Sequence, residues 1–114
     1  MNDIDRTRRV AELVKREVAV LITRELNDAR INTVTVTAVT VSRDLKQATV
    51  YISSLDPEME RGETERLMNR SSGYLRNLLS KNLEMRVTPA LRFQYDTSIQ
   101  RGIKMTRLIE NLNH

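Results

Sequence analysis

The residues best suited to chemistry are two arginines on either side of a short run of small residues. The run reads Arg70-Ser71-Ser72-Gly73-Tyr74-Leu75-Arg76. Gly73 has no side chain, so a partner's backbone can come close there, and a helix beginning beside it would direct N–H groups at a phosphate. Lys81 and Arg86 extend the positive charge. The pattern favours binding of a nucleic-acid backbone, and the RNA-binding candidates are Arg70, Ser71, Ser72, Gly73, Arg76, Lys81 and Arg86.

A purely structural role for the same glycine is the alternative. Apolar residues at helical spacing lie on both sides of it, including Leu67 before it and Leu75 and Leu79 after it. Inside a helix, Gly is less favourable than Ala by about 1 kcal/mol, so its presence needs a reason. The residues predict two helices that meet at Ser71-Ser72-Gly73, and they leave open whether the glycine serves a kink or the close approach of a partner.

Charge is distributed unevenly along the 114 residues, whose formal net charge is +4. Residues 1–65 contain ten Lys or Arg against twelve Asp or Glu, whereas residues 66–114 contain nine against three. The second half of the chain is therefore expected to face an acidic partner.

Side chains that could support catalysis are scarce. The single histidine is the terminal residue His114, cysteine is absent, and neither a phosphate-binding loop nor a dinucleotide fingerprint occurs. Asp28, Asp44, Asp56 and Asp96 could in principle gather around magnesium, but scattered aspartates are more often turn formers. We therefore expect no enzyme, no metal site and no cofactor. The enzyme alternative would be a small metal-dependent nuclease.

Five further basic residues are secondary RNA-binding candidates. Arg6, Arg8 and Arg9 lie at the start of the first predicted helix, and Arg43 and Lys46 lie in and beside a predicted turn. The N-terminal arginines are interleaved with acidic residues, which favours a solvated helix face over a binding surface.

Apolar periodicity predicts the helices that position these candidates. A long amphipathic helix is expected from about Arg6 to Leu26, with Asp5 or Thr7 as its cap. The helix pair that meets at Ser71–Gly73 is expected from about residue 63 to residue 83. A last helix is predicted over residues 99–112.

Alternating β-branched residues predict three strands. Residues 33–41 and 46–53 should form an antiparallel hairpin, with a bulge where the alternation slips at Ala38-Val39. Leu91, Phe93 and Tyr95 indicate a third strand after Pro89. The order is αββααβα, and the fold class is α+β: one domain over residues 1–114, with a three-stranded sheet and helices packed on one of its faces.

Several short motifs follow one another along nearly the whole chain. They are Arg9-Val10-Ala11, Asn27-Asp28-Ala29-Arg30, Val41-Ser42-Arg43-Asp44-Leu45, Ala48-Thr49-Val50-Tyr51, Ser71-Ser72-Gly73-Tyr74-Leu75-Arg76, residues 83–91, Phe93-Gln94-Tyr95-Asp96 and Gly102-Ile103. In this order and spacing they resemble the ribosome-binding factor A family, bacterial assembly factors of the small ribosomal subunit.

The resemblance implies a KH-like fold of the type II topology, in which a kinked helix pair with an Ala-x-Gly element replaces the usual GxxG loop. Here that element is Ser71-Ser72-Gly73, so Ser71 stands in place of the family's alanine. Ala29 stands where relatives often carry proline. Serine is small enough to keep the kink, and its hydroxyl could cap the second helix of the pair.

The resemblance also implies a non-enzymatic function. The chain would bind free 30S subunits or their precursors, assist late 16S rRNA maturation and processing, and support growth in the cold. Expected partners are the 30S subunit and 16S rRNA, and assembly GTPases could join them. We expect a cytoplasmic monomer with no membrane association, since no apolar run is long enough to cross a bilayer. The rival is a protein-binding adaptor that uses valine-rich strand edges, with an incidental basic face.

Overall fold

Three helices and three strands make up residues 3–97, the part of the chain that the structure, a computed structural model, describes. In chain order they are α1 (Asp3–Glu25), a short 3-10 helix (Ile31–Thr33), β1 (Val34–Val41), β2 (Gln47–Ser54), α2 (Arg61–Arg70), α3 (Ser72–Leu83) and β3 (Ala90–Tyr95). This order confirms the predicted αββααβ arrangement. The predicted last helix, residues 99–112, lies outside the described residues.

The sheet has the strand order β1-β2-β3, with β2 in the centre. β2 pairs antiparallel with β1 and parallel with β3. A parallel pair requires a long crossover, and α2 and α3 provide it. The β1–β2 register shifts between Val36 and Ala38, so Thr37 is the extra residue of a bulge. The predicted bulge is confirmed, one residue before the expected position.

One face of the sheet forms the core. Ala48, Val50 and Ile52 of β2 are fully buried, and Thr49 and Tyr51 between them are half-buried on the other face. The helices cover the buried face with a set of apolar side chains, namely Val14, Val18, Leu21, Ile22, Leu67, Met68, Leu75 and Leu79. Helix packing on one face of a three-stranded sheet is thereby confirmed, as is the KH-like α+β fold class.

Side chains of α2 cover the outer edge of β3. The Asn69 side chain donates to the Phe93 carbonyl (2.9 Å) and accepts from the Phe93 N–H (2.8 Å). One turn earlier, Glu65 Oε1 accepts from the Tyr95 N–H (2.9 Å). These bonds use the backbone groups that an added strand would need, so this edge is closed to strand pairing.

The helix pair is interrupted at a single residue. α2 ends at Arg70, Ser71 has φ −93° and ψ 0°, and α3 begins at Ser72. The predicted break is confirmed, but the predicted cap is wrong: Ser71 makes no side-chain hydrogen bond to α3. N-cap residues usually adopt extended backbone, which aims the side chain at the next turn, whereas Ser71 remains in the helical region. The Ser72 hydroxyl instead donates back to the Asn69 carbonyl (2.9 Å).

Two helices begin earlier than their patterns indicated. α1 begins at Asp3, so Asp5 and Thr7 lie inside it, and the Thr7 hydroxyl donates to the Ile4 carbonyl (3.0 Å). The prediction that either residue caps α1 is wrong. α2 begins at Arg61 rather than near residue 63.

Candidate nucleic-acid interface

The segment after α3 is held against that helix. Glu84 ends α3 in the left-handed region (φ 48°, ψ 40°), and Pro89 is fully buried a few residues later. Between them, the Thr88 carbonyl accepts from Arg76 Nε (3.2 Å) and Nη2 (3.0 Å). Arg76 therefore fixes residues 85–88 beside the exposed face of α3.

An open cleft of about 650 Å³ lies between α3 and this segment. It brings together three of the predicted site residues, Gly73, Arg76 and Arg86. Asn77 and Ser80 also line it, and sequence reasoning missed both. Their spacing of four and seven residues from Gly73 places all three on one helix face, a signal that was present in the sequence.

Gly73 lies in the first turn of α3 and is exposed to solvent. Its φ is not positive, and beyond the backbone of its own helix and its two chain neighbours, a Cβ added to it would meet no heavy atom of the described residues within 4 Å. The kink falls at Ser71 instead. Neither backbone conformation nor packing within residues 3–97 therefore requires a glycine here, and among these residues the space beside Gly73 is open.

The other primary candidates lie outside the cleft. Ser71 and Ser72 are half-buried at the kink, and Lys81 is exposed towards the end of α3. Arg70 lines a separate hollow of about 250 Å³, together with Arg30, Glu63, Arg66 and Leu67. The structure thus divides the predicted site into a cleft on one side of the kink and an arginine-lined hollow on the other.

The secondary candidates fall into two further places. Arg8 and Arg9 line a hollow on α1 together with Asp5 and Glu12, and Arg6 is exposed on the same helix. This mixture of charges agrees with the interpretation as a solvated face.

Arg43 and Lys46 are exposed at the β1–β2 turn. The Lys46 carbonyl accepts from the Ala90 N–H (2.8 Å). Ala90 comes two residues after Thr88. This hydrogen bond therefore places the β1–β2 turn, with Arg43 and Lys46, beside the C-terminal end of residues 85–88.

Asp44 and Asp56 behave as turn formers, whereas the Asp96 carboxylate accepts from the Thr37 hydroxyl of β1. Asp44 Oδ1 accepts from the Ser42 hydroxyl (2.7 Å) and the Lys46 N–H (3.0 Å), and these bonds hold the pKa of the Asp44 carboxyl below its ordinary value. Asp56 Oδ1 accepts from the Glu58 N–H (3.0 Å). Within residues 3–97, no three acidic or histidine side chains gather as a metal would need. No helix in that range is long and apolar enough to span a membrane.

Comparisons with known proteins identify relatives of the chain. The family model described as Ribosome-binding factor A matches residues 6–109. The ribosome-binding factor A of Alkalilimnicola ehrlichii is 47% identical over 109 residues, which cover 95% of this chain and 84% of that protein.

Solved structures give the same result. The crystal structure of ribosome-binding factor A from Thermus thermophilus superposes with a TM-score of 0.69 at 28% identity, covering 78% of this chain and 94% of that one. A Thermus thermophilus ribosome-binding factor A homology model, fitted into the cryo-EM map of a complex with the 30S subunit, gives 0.64 at 30% identity. It covers 76% of this chain and 91% of that one.

Proposed function

The chain belongs to the ribosome-binding factor A family, and from this premise we propose that it is a non-enzymatic assembly factor that binds free 30S subunits or their precursors. A Thermus thermophilus relative has been fitted into a complex with the 30S subunit, which supports the same partner for this chain. In this proposal the chain assists late maturation and processing of 16S rRNA and supports growth in the cold.

The contact surface in this proposal is the cleft between α3 and residues 85–88. A phosphate of the rRNA backbone would meet the exposed backbone at Gly73, with Arg76 and Arg86 beside it. Arg76 is already oriented by its two bonds to the Thr88 carbonyl, so little side-chain entropy is lost on binding. Charge of this kind supplies affinity with little sequence preference, and the shape of the subunit would then select the site.

The observation that carries the proposal is the open space at Gly73. Gly73→Ala should raise the free energy of unfolding by about 0.5–1 kcal/mol, because Ala favours the helix and meets no neighbour. The same methyl group would occupy the position of the approaching phosphate, so binding to purified 30S subunits should weaken by roughly tenfold, equivalent to about 1.4 kcal/mol.

Two measurements decide this proposal. Urea unfolding and 30S binding of Gly73→Ala should change in opposite directions, and unchanged binding by a stabilised variant would place the contact elsewhere. Sedimentation of the tagged wild-type protein with ribosomal fractions tests the function itself. We expect it with free small subunits, and its appearance mainly on translating ribosomes would refute the role in assembly.

A further inference from the structure

Three arginines from two distant parts of the chain converge beside the kink. Arg66 and Arg70 lie on successive turns of α2, and Arg30 comes from the turn after α1. Together with Glu63 and Leu67 they line the hollow of about 250 Å³, called here the arginine pocket. Three guanidinium groups share it with the Glu63 carboxylate, and Asp28 pairs with Arg30 beside it, so the local charge is +1 and the pocket attracts anions.

Arg30 is held in place by Asp28. Oδ1 of Asp28 accepts from the Arg30 backbone N–H (2.9 Å) and from Nε (3.2 Å), and Oδ2 accepts from Nη2 (2.8 Å). The hydrogen bonds to the Arg30 side chain, and then to its backbone, lower the pKa of Asp28, and the same pair raises that of Arg30. By contrast, Arg66 and Arg70 form no ion pair with any residue between 3 and 97.

The arginine pocket and the cleft lie on the same side of the helix pair. Arg66, Arg70, Gly73 and Asn77 follow one another at intervals of four, three and four residues, which keeps them on one helix face. Ser71 remains in the helical region, so the path continues across the kink.

We infer that the arginine pocket is a second phosphate-binding site, which holds the backbone of the same RNA that reaches Gly73 in the cleft. The inference rests on the proposed function and extends its contact surface across the kink to Arg30 and Arg66. Guanidinium groups pair with phosphate through two parallel hydrogen bonds, which Arg66 and Arg70 can supply because the Nε and Nη2 donors of Arg30 already bind Asp28. A bound phosphate would also offset the mutual repulsion of Arg66 and Arg70. The small volume and the single apolar neighbour, Leu67, suit a phosphate group rather than a base.

The test is the salt dependence of binding to purified 30S subunits. Arg66→Gln combined with Arg70→Gln should remove the one phosphate contact of the pocket and lower the log-log salt slope by about 0.7–0.9. At 0.1 M salt the same change corresponds to a loss of affinity of roughly 5- to 8-fold. Glu63→Gln should act in the opposite direction and tighten binding by roughly threefold, because it removes a negative charge that repels the phosphate.

A matched control removes the same charge elsewhere. Arg24 and Arg92 are both exposed, and neither lines the cleft or the arginine pocket. Arg24→Gln with Arg92→Gln should leave the slope nearly unchanged. An equal loss in this control would show that net charge alone matters, and the inference would be wrong.

A second double variant separates this inference from the proposed function. If Arg76→Gln with Arg86→Gln lowers the slope but the Arg66/Arg70 variant does not, the arginine pocket is not a contact and the proposed function stands. If neither variant lowers it, the whole proposed surface fails.

Inorganic phosphate distinguishes a free anion from RNA. Shifts of the Arg66 and Arg70 Nε–Hε NMR signals with inorganic phosphate, together with unchanged 30S binding by the double variant, would indicate an adventitious ion only.

Discussion

At the scale of the residue, the exit from α3 depends on an unusual backbone conformation. Glu84 has φ 48°, in the left-handed region where a Cβ is unfavourable by roughly 1–2 kcal/mol. This conformation turns the chain back towards Arg76 and so creates one wall of the cleft. Glycine would adopt it without the steric penalty.

Glu84→Gly should therefore raise the free energy of unfolding by about 0.5 kcal/mol, the steric gain less the extra entropy of glycine in the unfolded chain. Glu84→Gln is the control, because it removes the charge and keeps the Cβ. Urea unfolding of both variants measures the difference. A gain of the same size in Glu84→Gln would trace the effect to charge and not to conformation.

At the scale of the element, α2 has two functions that lie on different faces. One face carries Glu65 and Asn69 to the outer edge of β3, and another carries Arg66 and Arg70 to the arginine pocket. Closing the β3 edge also removes one of the two strand edges that a protein-binding adaptor would use. α2 therefore covers the edge of the sheet with one face and exposes two arginines on another.

Asn69→Ala should lower the free energy of unfolding by about 2–3 kcal/mol, because the backbone N–H and carbonyl of the buried residue Phe93 would both lose their hydrogen-bond partner. The matched control is Asn82→Ala on α3, whose exposed side chain donates to Glu17 (2.8 Å). We expect that control to change stability by less than about 1 kcal/mol. Thermal or urea unfolding gives both values. If Asn69→Ala lost no more stability than the Asn82→Ala control, the hydrogen bonds of Asn69 to the β3 edge would not be needed for stability.

At the scale of the whole molecule, the sheet and the helix pair meet at Phe93. This side chain is 1% exposed, and its backbone is bonded to Asn69 of α2. The cleft is lined by α3 and the arginine pocket by α2, and both helices pack against the core that contains Phe93. Packing of the core therefore fixes the position of the cleft relative to the pocket.

Phe93→Ala should lower the free energy of unfolding by about 3–5 kcal/mol through lost burial and the cavity left behind. That is a large share of the roughly 5–15 kcal/mol typical of a domain, so the midpoint of thermal unfolding should fall sharply. Val87→Ala, at an exposed position, should change stability by less than about 0.5 kcal/mol. A similarly small change in Phe93→Ala would show that the core tolerates loss of its largest side chain.

Local patterns in the sequence determined the elements and the fold class. A helix or strand that buries one face repeats its apolar residues every 3.6 or every 2 positions. This periodicity allowed the three helices, the three strands and the bulge near Ala38 to be predicted. Element starts were less well defined, because α1 continues to Asp3 beyond its apolar pattern. The family resemblance rests on the same linear information.

The tertiary structure decided how the basic residues are grouped. Arg70 and Arg76 are six residues apart in one motif, yet one lines the arginine pocket and the other the cleft. Arg30 joins Arg66 and Arg70 only because packing brings the turn after α1 against α2, a long-range contact that no local pattern records. The open space at Gly73 likewise depends on tertiary packing, because no other element within residues 3–97 packs against this position. The sequence thus determined that a glycine lies among arginines, and the three-dimensional packing separated those arginines into a cleft beside α3 and a pocket beside α2.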